Sequence, residues 1–326
     1  MYFIDNECTD PYCNLAFEEH LFTSGEDEYF MLWRNSQSII VGRNQNTEEE
    51  INEEYVSSHG IPVVRRLTGG GAVFHDLGNL NYTFIVNDNS GSGLNFAKYT
   101  RPVIDTLASL GVAAKLTGRN DLTIDGRKFS GNSQYRSGHR LLHHGTLLFS
   151  SVIPDIASAL KVRPEKLAGK GVKSVSSRVT NISSHLARDM TLSEFRRALA
   201  EHIRRSLPDI EERGITAADK AAAEALVRDK YATWEWNYGV SPKYDLRCRR
   251  KFTCGNIELF LQREGGLIKS ARFCGDFFSE KDTADIESAL AGCRAGKEEV
   301  KKTLGKFALE DYFGAVSADE LAEMFS

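Results

Sequence analysis

Twelve consecutive residues carry the densest chemistry in this chain: Arg65-Arg66-Leu67-Thr68-Gly69-Gly70-Gly71-Ala72-Val73-Phe74-His75-Asp76. Paired arginines lead into three glycines. Consecutive glycines tolerate φ > 0 and let the backbone come close to a ligand. Exposed N–H groups beside guanidinium groups suit a phosphate or a carboxylate. Ile61 to Arg66 reads as a strand, and Ala72 to Phe74 as the start of its hairpin partner. The segment thus predicts a strand, glycine loop and strand that hold an anion, with a plain glycine-rich turn as the alternative on the motif alone. The chain has no G-x-x-x-x-G-K-[ST] and no G-x-S-x-G elbow, and the three glycines do not fit G-x-G-x-x-G.

Four further segments bear on the same chemistry. Lys128, just past an Asp125-Gly126 hairpin signal and before Ser130-Gly131-Asn132-Ser133, is placed to act as a charge clamp. A lysine is a compact point charge that can neutralise a carboxylate and a phosphate together. Asp121 reads two ways, as a carboxylate holding Mg²⁺ beside phosphates or as a turn cap. His143 and His144 are adjacent on a presumed strand and so point to opposite faces, one toward a ligand and one into packing. The basic, Ser-rich run from Lys170 to Asn181 reads as a loop that closes over a phosphate or as a solvated connection. Trp33 and Phe74 read as core.

These residues need a sizeable scaffold, and 326 residues suggest about two domains. A formal net charge of −4 gives no field for nucleic acid or an anionic membrane. No apolar run reaches the ~18 residues of a spanning helix, and acidic residues stand where a signal peptide would be basic. The expected location is the cytoplasm. The six cysteines show no zinc spacing, and none lies between Cys13 and Cys248, so the glycine-rich region offers no thiol nucleophile. Helices are expected over Asn14–Phe22 (capped by Asn14), Glu48–Ser58, Asn95–Leu110, Leu192–Leu207 and Thr216–Lys230, and strands over Tyr29–Arg34, Ser38–Gly42 and Leu80–Val86. The basic cluster Arg247-Cys248-Arg249-Arg250-Lys251 reads as a linker, dividing the chain into residues 1–245 and 246–326.

Taken together, RRLTGGGAVFHDLGN, GRNDLTIDGRKFSGNSQYR, LLHHGTLLF, KGVKSVSSRVTNI, WEWNYGVSPKYD and IELFLQREGGLIKSARFCGDFFS resemble lipoate–protein ligases of the bacterial A type. The co-linear match spans nearly the whole chain. It implies an α+β fold: a mixed β-sheet catalytic domain of the class II aminoacyl-tRNA synthetase and biotin protein ligase type, with a small α+β C-terminal accessory domain. It implies that lipoate and ATP give lipoyl-AMP, and that a lysine of an acceptor lipoyl domain then takes the lipoyl group. By the same resemblance Arg66, Gly71, Ala72, Val73 and Phe74 contact ATP, and Lys128 touches ATP and lipoate. Trp33, Arg136 and His144 join the lipoate pocket, Lys170 and Arg178 belong to an adenylate-binding loop, and Mg²⁺ accompanies the nucleotide. The implied partners are H protein or 2-oxoacid dehydrogenase acyltransferase subunits, and the expected state is a monomer. Three alternatives remain at this point: an octanoyl or lipoyl amidotransferase, whose members use a catalytic cysteine, a biotin ligase, and a non-catalytic lipoyl carrier or lipoyl-domain binder.

Overall fold

The computed structural model describes residues 1–89, 94–161, 178–207, 209–239 and 244–325. Its main element is an eight-stranded mixed sheet in the order β11-β1-β2-β6-β10-β9-β8-β7. Here β1 is Tyr2–Asp5, β2 Tyr29–Trp33, β6 Asn79–Asn87, β7 Ala114–Thr117, β8 Asp121–Ile124, β9 Arg127–Ser137, β10 Arg140–Leu148 and β11 Glu211–Glu212. The pairs β1–β2 and β1–β11 are parallel, and the rest of the sheet is antiparallel. A second sheet, β4-β3-β5, is built from Ser38–Val41 (β3), Val63–Arg65 (β4) and Val73–His75 (β5).

Strand alternation sorts the main sheet into two packed faces. Phe30, Leu32, Leu80, Tyr82 and Phe84 pack on the helices Phe96–Ser109 and Leu192–Ser206 through Tyr99, Val103, Leu107, Phe195 and Leu199. Tyr29, Met31, Trp33, Ile85 and Leu142 face the helix Pro11–Thr23 through Leu15, Phe17 and Leu21. Each such fully buried side chain contributes about 1.5–3 kcal/mol. On that second face, however, β6 carries Asn81 and Thr83, both buried. Polar residues in the middle of a covered strand mark where the site lies.

The C-terminal residues form their own core, a meander of Leu246–Phe252 (β12), Gly255–Glu264 (β13) and Leu267–Gly275 (β14) covered by four short helices from Ala284 onward. The basic cluster is therefore a strand and not a linker. It lies at the edge of the sheet, where charged side chains are tolerated and discourage further pairing. Arg247 pairs with Glu258 and Glu49, and Arg250 with Glu323.

Other expectations shift in detail. The first helix begins at Pro11 with Asp10 as its cap, and Asn14 is buried inside it. The expected helix over Glu48–Ser58 is two short ones, Thr47–Glu50 and Glu53–Ser58, because Ile51 leaves to bridge Leu160. The glycine segment is not a hairpin. Both β4 and β5 pair with β3, one parallel and one antiparallel, so the glycine loop crosses over the end of β3. Gly42, just beyond β3, permits that crossing: a Cβ there would overlap the Gly70 carbonyl.

Candidate active site

Sheet register assembles the site. Trp33 lies opposite Asn81, Asn81 opposite Thr146, and the Thr146 hydroxyl accepts from the Gly131 amide at 3.3 Å. The adjacent row on the same face runs Met31, Thr83, His144, Ser133. The glycine loop lies over this second row, its Gly69 carbonyl accepting from Ser133 Oγ at 2.8 Å. Between loop and sheet is a cleft of about 270 Å³ whose lining includes Leu15, Trp33, Ile40, Val73, His75 and Asn81 toward one end. Arg119, Asp121, Lys128 and Gly131 line the other.

The paired arginines separate in role. Arg65 is buried and donates to the carbonyls of Gly42, Arg43, Gln45, Trp236 and Asn237 and to Thr47 Oγ1. It bolts loops together and does not reach the cleft. Arg66 lines the cleft and donates to Thr68 Oγ1, Ile40 O, Gly69 O and Gly71 O at 2.6–3.2 Å. Burial pulls its pKa down to about 10, so it stays cationic at neutral pH. None of those four bonds reaches a carboxylate, which leaves a buried positive charge beneath the loop. The carboxylate whose charge acts on it is Glu18, buried and bonded to His144 Nδ1 (2.9 Å) and Thr83 Oγ1 (2.7 Å). His144 Nε2 in turn meets Thr68 Oγ1 at 2.8 Å, and Trp33 Nε1 donates to Thr83 at 2.8 Å. A continuous polar chain thus ties the helix, the sheet and the glycine loop together.

Lys128 Nζ lies 2.7 Å from Asp121 Oδ1, both side chains about two-fifths exposed at the cleft mouth. Val179 and Thr180 come to the same point: Val179 bridges Lys128, and the Thr180 amide donates to the Lys128 carbonyl at 2.9 Å. Lys170 lies outside the described residues, and Arg178, next to Val179, is half-buried. His143 faces away from the cleft, meeting Gln134 Nε2 at 2.9 Å and Tyr82 Oη at 3.3 Å, so the two histidines divide as expected. Burial holds the His143 pKa well below its usual value.

Two expected pocket residues are not brought to the cleft. Arg136 is out of phase with Ser133 and Tyr135 on β9 and so points to the opposite face, bonded to Asp88 at 2.7 Å. The Phe74 side chain points into the core of the small sheet between Val73 and His75, leaving only its backbone for a ligand. Trp33 is both core and cleft wall. Missed from sequence were Glu18, His75, Asn81 and the contribution of the C-terminal domain. Glu18 had a signal, a carboxylate on the apolar stripe formed by Leu15, Leu21 and Phe22. The C-terminal contribution had none. Asp276 lines the cleft, Arg119 donates to the Cys254 carbonyl and stacks 4.3 Å over Phe278, and Asn44 holds the Gly275 amide at 2.7 Å.

A cationic glycine-loop cleft on a mixed sheet agrees with what the chain matches. Residues 10–204 match the lipoyl protein ligase A/B catalytic domain, and residues 241–325 the bacterial lipoate protein ligase C-terminus. The chain belongs to the lipoate–protein ligase family. Lipoate-protein ligase LplJ of Bacillus subtilis is 44% identical over 99% of both chains. Among solved structures, P. falciparum LipL1 in complex with lipoate aligns with a TM-score of 0.79 at 25% identity, covering 94% of each chain. Lipoate-protein ligase A bound with ATP aligns at 0.64 and 27% identity, covering 74% of this chain and 99% of that one. The α+β architecture, with a mixed-sheet catalytic part and a C-terminal accessory part, is thereby the family's.

Proposed function

We propose that this chain activates lipoate with ATP and transfers the lipoyl group to a lysine of an acceptor lipoyl domain. The observation that carries this reading is the convergence of the Lys128 ammonium and the buried Arg66 guanidinium on one cleft. Adenylation brings two anions together, since a lipoate carboxylate oxygen must attack the α-phosphorus. That P–O bond forms as the bond to pyrophosphate breaks. Fixed charges that need no rearrangement offset this repulsion. Lys128 spans the carboxylate and the phosphate, Arg66 holds the loop while contributing its field, and the amides from Gly71 to Phe74 face the nucleotide.

In the second step the acceptor amine attacks the acyl carbon, AMP leaves, and the amine gives up a proton. The acceptor would be an H protein or an acyltransferase subunit of a 2-oxoacid dehydrogenase. We place the reaction in the cytoplasm, with which the absence of any membrane-length apolar helix among the described residues is consistent.

Mg²⁺ would be held here by cleft carboxylates together with bound phosphates. No three His, Cys, Asp or Glu side chains gather among the described residues, but Asp121 and Asp276 both line the cleft. Mg²⁺ beside phosphates is held by one or two carboxylates plus the phosphates themselves. Bound there, it would neutralise phosphate charge. The amidotransferase alternative is disfavoured because no cysteine lines the cleft and Cys13, on the first helix, has its thiol pushed up to about 12 by burial and Asp10.

Pyrophosphate release from ATP tests the reading. Lipoate-dependent release that Lys128→Ala lowers by about 10²–10³ supports it. Release that ignores lipoate, or survives the substitution, contradicts it.

A further inference from the structure

The apolar end of the cleft contains two polar groups that the adenylation chemistry does not use. His75 is 3% and Asn81 1% exposed, both line the cleft, and each carries a nitrogen with no hydrogen-bond partner among the described residues. The network fixes which atom this is on His75. Asn14 Nδ2 donates to Asn35 Oδ1 at 2.8 Å, which turns the Asn35 amide nitrogen toward His75 Nδ1 at 3.1 Å. His75 Nδ1 therefore accepts, and a neutral ring carries its proton on Nε2. The ring is neutral because burial, Arg66 and His144 pull its pKa down to about 3. Asn81 Oδ1 accepts from Asn79 Nδ2 at 2.8 Å, leaving its own amide N–H groups free to donate. Two buried donors thus share one wall, beside the Trp33 ring, whose centroid lies 6.3 Å from that of His75.

Their distance from the anion end says what they meet. Asn81, Thr146 and Gly131 lie on three neighbouring strands, so Asn81 is two strand spacings, roughly 10 Å, from the strand that bears Lys128. With its carboxylate at Lys128, an extended lipoate would place its dithiolane ring in this apolar end. Buried donors left dry are costly, whereas a weak acceptor such as a ring sulfur relieves part of that cost.

We propose that His75 Nε2–H and Asn81 Nδ2–H donate to the dithiolane sulfurs and make this site select lipoate over unsubstituted fatty acids of the same length. Octanoate would bring a methyl group against the same donors and leave them unpaired. A site built to hydrogen-bond a group rejects the analogue that lacks it more strongly than a merely apolar pocket does. The inference rests on the ligase reading above, and it makes Asn81 and His75 specificity-determining residues.

The test compares three acids in the wild-type protein by kcat/KM for pyrophosphate release: lipoate, octanoate and 5-cyclopentylpentanoate, which keeps the ring and removes both sulfurs. Lipoate should lead both others by about tenfold or more, and Asn81→Leu should bring the three within about threefold of one another. The carbocycle matching lipoate in the wild type would overturn the proposal, showing selection by ring shape alone. An undiminished lipoate preference in folded Asn81→Leu would overturn it too. Absence of release with every acid is a different result, because it removes the ligase reading itself. The substrate-side comparison needs no variant, so it stands even if Asn81→Leu fails to fold.

Discussion

Arg65 and Arg66 are adjacent and both buried, yet only Arg66 lines the cleft, so Arg65 and the cleft lysine Lys128 should give opposite mutant phenotypes. Arg65→Met strands several buried acceptors, each costing about 1–3 kcal/mol. The urea midpoint should fall sharply, and a midpoint within error of the wild type would refute the bolting role. Lys128→Ala, at a half-exposed position, should change stability by no more than about 0.5 kcal/mol while adenylation falls by orders of magnitude. Calorimetry paired with the pyrophosphate assay separates the two. A third prediction concerns pH. His75 and His143 are buried neutral, with pKa values below the ordinary imidazole range. In the unfolded chain they bind protons below about pH 6.5, so stability is fully present above that pH and declines as pH falls toward the folded-state values. Each should cost up to about 2 kcal/mol at pH 5. Urea unfolding at pH 7 and pH 5 checks this, and equal midpoints would mean that neither ring is held neutral by the fold.

At the scale of elements, the site is a product of register. The polar row Asn81–Thr146 and the neighbouring row Thr83–His144–Ser133 lie on one face because directly opposed strand residues share a face. That much was partly legible: strands at 29–34, 38–42 and 80–86, the Asp125-Gly126 turn and the division of His143 from His144 all follow from local pattern. What local pattern could not give was pairing. The glycine segment predicts a hairpin because its flanking strands are close in sequence, and nothing in Arg65–Phe74 announces that β3 lies between them. Likewise Arg136 belongs to the right segment but to the wrong phase of β9, and phase shows only once Ser133 is seen beneath the glycine loop. The crossing makes its own prediction. Gly42→Ala should displace Gly70 and loosen the loop over Arg66, lowering the unfolding midpoint and the adenylation rate together. Unchanged adenylation in this variant would show that the loop's path over β3 is unimportant.

For the whole molecule, the C-terminal domain belongs to the cleft. Asp276 lines it, Phe278 stacks under Arg119, and Asn44 holds the backbone at Gly275 and Phe277. A Cβ on Gly69 would meet the Phe277 carbonyl, so the bare glycine is what lets the two domains seat together. Gly69→Val should lift this segment, seen as faster amide exchange across residues 275–279 while the exchange of β13 is unchanged. No change at 275–279 would mean the seating does not depend on that contact. This contribution was invisible in the sequence, since more than 200 residues separate Gly69 from Phe277 and no motif couples them.

The central claim is that one cleft joins free lipoate to a protein lysine at the expense of ATP. The most direct measurement follows an apo lipoyl domain by intact mass with purified protein, supplying either lipoate with ATP and Mg²⁺ or an octanoyl carrier protein without ATP. The account predicts a lipoyl mass gain in the first mixture, with AMP and pyrophosphate formed in equal amount, and none in the second. Modification from the carrier without nucleotide, and none from free lipoate with ATP, would contradict it.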